Sequence, residues 1–105
     1  MIVKPETFEL LSGAEDLSDY SRAGKAAYDK ALVMAPYTNH HFFCKNCGVH
    51  SFGMGNIPEI GGAYVSVNVA CLDDVNFEEV MQTPVRFMNG RDNDWFSVPK
   101  FTAHM

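Results

Sequence analysis

The sequence AYVSVNVACL, residues 63–72, decides the fold class of this chain. Apolar and polar residues alternate along it after Gly61 and Gly62, which is the pattern of a β-strand with one face in a core. The predicted inward face carries Val65, Val67, Val69 and Cys71. Cys71 is therefore expected to be a small buried thiol rather than a reactive one.

Outward from this strand, the chain contains short strand patterns separated by turn residues. Further strands are predicted over residues 6–11, 17–20, 38–44 and 85–88. Residues 77–82 predict a short helix that Asn76 can cap. Residues 21–34 predict either a helix or a loop around an extended segment, and the Gly-rich residues 51–60 predict a loop. The whole pattern predicts a mainly β domain with one or two short helices.

Size and charge restrict the possible functions. A chain of 105 residues with 47% hydrophobic and 20% charged residues is typical of one soluble globular domain, so residues 1–105 are expected to form a single domain. The net charge of −5 argues against a nucleic-acid or anionic-membrane partner, because both need a basic surface. No secretory signal and no spanning apolar run is visible, and three cysteines fit a reducing compartment. A cytoplasmic protein is expected.

The segment FFCKNCGVH, residues 42–50, carries the clearest chemical signal. Its C-x-x-C spacing directs the Cys44 and Cys47 sulfurs to one point, which is the usual form of half a zinc site. His50 and Cys71 are weaker candidates for the missing ligands, since a structural zinc needs four. The alternatives are a redox dithiol or two buried thiols. Residues 48–53 do not resemble the helix start that a redox pair normally opens.

Four stretches in order resemble the glutathione-dependent formaldehyde-activating enzyme family, which includes centromere-protein-V-like proteins. Residues 41–52 (HFFCKNCGVHSF) resemble its H-x-F-C-x-x-C-G segment. Residues 10–20 are similar to L-x-G-x-x-x-L-x-x-Y, residues 67–73 to V-N-V-x-C-L-D, and residues 87–95 to F-x-G-R-x-x-x-W. Together they cover most of the chain, which is similar to the C-terminal two-thirds of such a domain.

This resemblance implies a β-tent fold of small antiparallel sheets held by zinc. It also implies a carbon–sulfur lyase that joins formaldehyde and glutathione as S-hydroxymethylglutathione. Cys44 and Cys47 match the pair that supplies two ligands of the family's structural zinc. In the family, an upstream C-x-C supplies the other two ligands of the structural zinc, and a separate upstream C-x-C-x-x-C binds the catalytic zinc. No cysteine precedes Cys44 here.

Three functional hypotheses follow. The first is a zinc-binding member of the formaldehyde-activating family whose lyase activity is reduced or lost, with glutathione or another small thiol adduct as its partner. The second is a non-enzymatic, zinc-stabilised binding module, in which two chains pool their half-sites in a homodimer. The third is a redox dithiol protein that uses Cys44 and Cys47.

Overall fold

The computed structural model of the protein describes residues 1–21 and 38–103. The predicted helix over residues 21–34 lies, apart from Ser21, outside the described residues. The chain divides into two compact units, Met1–Asp73 and Asp74–Met105, and each is described by itself.

The first unit is built on one antiparallel sheet. Its strands, in the sheet order β1-β5-β4-β3-β2, all pair antiparallel within the described residues. They are β1 (Ile2–Val3), β2 (Leu17–Tyr20), β3 (Asn39–Cys44), β4 (His50–Ile57) and β5 (Gly62–Val67). The prediction of a mainly β fold with antiparallel sheet and short helices is confirmed.

The core lies on one face of this sheet. Phe42 and Phe52 are opposite each other in β3 and β4, with ring centroids 5.1 Å apart, and Met54 is opposite Val65. All four are buried, because alternate residues of each strand point to the same side. Phe8 packs against Phe52 at 4.9 Å between ring centroids.

The predicted strand over residues 6–11 is not formed. Pro5–Thr7 form a 3-10 turn instead, with Pro5 at its start, and the residues that follow pair with no strand among the described residues. Phe8 and Leu10 nevertheless pack against the core.

The prediction of a loop over residues 51–60 was wrong for most of its length. Residues 51–57 belong to β4, which lies at the centre of the sheet, and only Pro58–Ile60 form a 3-10 turn. Gly53 and Gly55 are glycines because neighbouring atoms lie very close. A Cβ at Gly53 would lie 2.8 Å from the His40 carbonyl oxygen, and one at Gly55 would lie 2.6 Å from the Tyr64 hydroxyl.

The strand predicted over residues 63–72 is shorter than expected. β5 ends at Val67, and Val69–Cys71 form a 3-10 turn. The Asn68 side chain causes the change, since its Oδ1 accepts a hydrogen bond from the Ala70 N–H at 3.1 Å and so caps the turn. Cys71 is consequently exposed, and its predicted place in the core was wrong.

The second unit contains the short helix α1 (Phe77–Gln82), as predicted. The Asn76 side chain caps it by accepting hydrogen bonds from the Glu78 and Glu79 N–H groups. Residues 85–88 form no strand, although Asn89 and Asp94 pair as an isolated bridge. Over the described parts of the chain, every helix is too short or too polar to cross a membrane.

Candidate metal site at the β3–β4 turn

Cys44 and Cys47 lie on the tight turn that joins β3 to β4. The Gly48 N–H donates to the Cys44 carbonyl at 2.7 Å, and the Cys44 N–H donates to the Val49 carbonyl at 2.9 Å. Gly48 has φ of +77°, which glycine adopts without steric cost. Gly48 thus supplies the positive φ that lets the chain turn back after the C-x-x-C. No helix begins at this turn, because β4 starts at His50.

The turn prepares the Cys44 sulfur for a negative charge. The backbone N–H of Cys47, the backbone N–H of Asn46 and the Cys47 thiol all donate toward it, and together they lower the pKa of the Cys44 thiol. Hydrogen bonds to the charged form favour that form, so they promote ionisation of Cys44. A thiolate with peptide N–H donors, beside a second thiol, is the state that a metal ion binds.

The turn is also attached to the segment that precedes β2. The Lys45 N–H donates to the Asp16 carbonyl at 2.8 Å, and the Lys45 ammonium donates to the Glu15 carbonyl at 2.6 Å. Asn46 Nδ2 donates to Asp16 Oδ1 at 3.2 Å. Both x residues of the C-x-x-C are therefore occupied in holding the turn, while Cys47 is exposed.

The two weaker ligand candidates lie near each other. Cys71 Sγ is 3.9 Å from the His50 carbonyl oxygen, and both residues are exposed. Residues 1–21 and 38–103 contain no group of three or more His, Cys, Asp or Glu side chains placed to hold a metal. Within these residues, His50 and Cys71 are therefore not grouped with Cys44 and Cys47 as a set of three or more candidate ligands.

Sequence reasoning missed a buried histidine–carboxylate pair on β2 and β3. His40 Nδ1 is 2.7 Å from Asp19 Oδ2, and the side chains are 2% and 0% exposed. Nδ1 carries the proton in this bond when Asp19 is ionised, because a carboxylate only accepts. Asp19 Oδ1 is buried and has no hydrogen-bond partner within the described residues. His40 shares a strand face with the buried Phe42, and its partner Asp19 is brought close only by the pairing of β2 with β3.

Comparison of the chain with family models, with curated proteins and with solved structures found no match.

Proposed function

We propose that this chain is a zinc-binding β domain in which Cys44 and Cys47 provide two thiolate ligands. The observation that supports it most strongly is the pair of peptide N–H groups that donate to the Cys44 sulfur in a C-x-x-C-G turn. This arrangement presents a stabilised thiolate beside a second exposed sulfur. Zinc bound there would hold β3 and β4 together at their connecting turn.

The remaining ligands come from a second copy of the chain. A structural zinc takes four ligands, and the described part of one chain brings only two cysteines to the turn. The turn is exposed at Lys45, Asn46 and Cys47, so a symmetric partner can reach it. The proposed centre is thus a four-cysteine site shared by a homodimer.

Zinc analysis combined with native mass measurement tests this proposal on the full reduced chain. We expect a dimer with one zinc per two chains, lost in Cys44→Ser and in Cys47→Ser and retained in the control Cys71→Ser. One zinc in each monomer contradicts the shared site but leaves zinc binding intact. Reduced protein that takes up no zinc contradicts the whole proposal.

The resemblance to the formaldehyde-activating family adds a substrate class to this proposal, namely glutathione or another small thiol adduct. We propose that residues 1–105 by themselves have reduced or no carbon–sulfur lyase activity, because residues 1–43 contain no cysteine to match the family's catalytic zinc ligands. Zinc-loaded protein is then expected not to accelerate the formation of S-hydroxymethylglutathione from glutathione and formaldehyde. A zinc-dependent rate above the spontaneous one contradicts this loss.

A redox dithiol is the second candidate, favoured by one contact. The Cys47 thiol donates to the Cys44 sulfur, so the two atoms that a disulfide would join already lie side by side. Against it, the turn lies between two strands and lacks the helix N-terminus that activates redox cysteines. A reversible Cys44–Cys47 disulfide in the metal-free chain supports this candidate, whereas alkylation of both thiols unaffected by oxidant excludes it.

We propose a cytoplasmic location on the basis of the cysteines. Cys44, Cys47 and Cys71 are free thiols, and such thiols persist in a reducing compartment.

A further inference from the structure

A second group of metal-binding side chains lies on the sheet face opposite the core. One row of paired residues crosses this face, with Tyr20 opposite His41, His41 opposite Gly53 and Gly53 opposite Ser66. The His50 ring joins the row, because its centroid is 5.5 Å from that of His41 with the ring planes at 51°. Both histidines are exposed to solvent.

These side chains approach Gly53 closely because residue 53 is a glycine, and Gly53 is itself buried beneath them. A Cβ at Gly53 would lie 2.9 Å from Ser66 Oγ and 3.8 Å from His50 Nε2. A ring nitrogen and a hydroxyl therefore converge above the bare backbone of Gly53, and His41 stands directly opposite on β3. The His41 ring, the His50 ring and the Ser66 hydroxyl are thus gathered around the Gly53 backbone.

The separation of the two rings fits a shared metal ion. With metal–nitrogen bonds of about 2.0–2.1 Å, an ion lies about 3.2 Å from the centre of each imidazole ring. Two rings at a tetrahedral angle around that ion have centres about 5.2 Å apart, close to the observed 5.5 Å. Imidazole nitrogen is a ligand that suits zinc, copper and nickel.

We propose that His41 and His50 bind a divalent Ni²⁺ or Cu²⁺ ion beside Gly53, separately from the zinc site at the Cys44–Cys47 turn. The protein supplies two nitrogen ligands, and water occupies the other positions within reach of the Ser66 hydroxyl. Such a site has open coordination, as catalytic zinc sites have, whereas the cysteine site is closed once its four thiolates are present. Burial and the neighbouring His50 lower the pKa of His41, which favours the neutral ring that can donate a lone pair.

Paramagnetic Ni²⁺ titrated into the full chain, followed by NMR, distinguishes the two sites. We expect Ni²⁺ to broaden the Gly53 and Ser66 signals, and His41→Gln or His50→Gln to weaken this effect by about tenfold or more. The matched control His104→Gln keeps it unchanged. The double variant Cys44→Ser/Cys47→Ser should lose the Ni²⁺ broadening at Gly48 and keep the broadening at Ser66. The histidine site is therefore tested even if the cysteine site does not bind metal.

The proposal is overturned if Ni²⁺ leaves the Gly53 and Ser66 signals sharp. It is equally overturned if His41→Gln and His50→Gln, each shown by its amide spectrum to be folded, bind Ni²⁺ as the wild-type chain does.

Discussion

Gly53 sets how closely three strands approach at the centre of the sheet. Gly53→Ala is expected to destabilise the protein by about 1–3 kcal/mol, because the added Cβ meets the His40 carbonyl at 2.8 Å and Ser66 Oγ at 2.9 Å. Urea unfolding measures the change. The double variant Gly53→Ala/Ser66→Ala lacks the Ser66 hydroxyl but keeps the His40 carbonyl oxygen. It should therefore remain less stable than the wild type. A Gly53→Ala protein as stable as the wild type contradicts this packing.

The buried pair of His40 and Asp19 makes each residue dependent on the other. His40→Leu is expected to lower the free energy of unfolding by about 3–5 kcal/mol, because it leaves the Asp19 carboxylate buried without its partner. The double variant His40→Leu/Asp19→Leu should be more stable than His40→Leu alone, since no unpaired charge remains. A double-mutant cycle measured by urea unfolding tests this interaction. If the two single losses of unfolding free energy add up to that of the double variant, the side chains do not interact.

At the scale of the elements, the turn after the Asn89–Asp94 bridge responds to pH. The Ser97 hydroxyl and the Phe96 and Ser97 N–H groups lower the pKa of the Asp94 carboxyl below its usual 3.8. Because the folded pKa lies below the unfolded one, the stabilisation is present above the unfolded value and is lost as pH falls through the folded value. NMR signals of the Phe96 and Ser97 amides should titrate with a midpoint below pH 3.8, and this titration should be absent in Asp94→Asn. A midpoint at or above that value contradicts the hydrogen bonds.

Local sequence patterns predicted the elements whose stabilising contacts are local. The α1 helix with its Asn76 cap, and the turn at Gly48, follow from neighbouring residues. β4 was mistaken for a loop because the reason for its glycines lies on other strands, at the His40 carbonyl and the Tyr64 hydroxyl. The end of β5 was missed because alternation continues through residues 69–71, while the Asn68 side chain diverts the backbone.

At the scale of the whole molecule, the sequence indicated the two cysteines of the candidate metal site but not the contacts that the histidines of the sheet make. The C-x-x-C spacing identified the two sulfurs that the structure places side by side. The Asp19–His40 pair could not be placed, because it depends on a contact between residues 21 positions apart in the chain. Cys71 was wrongly placed in the core because the turn capped by Asn68 interrupts the strand alternation before it. The contact between the His41 and His50 rings was missed because His41 lies on β3 and His50 on β4.

The central claim is that the Cys44–Cys47 turn is a zinc half-site, and the zinc neighbours can be counted directly. X-ray absorption at the zinc edge of the loaded, full-length chain should show four sulfur neighbours at about 2.3 Å. Cys71→Ser should leave this spectrum unchanged, since Cys71 is not one of the four. A first shell of nitrogen and oxygen alone, with no sulfur, would contradict the account.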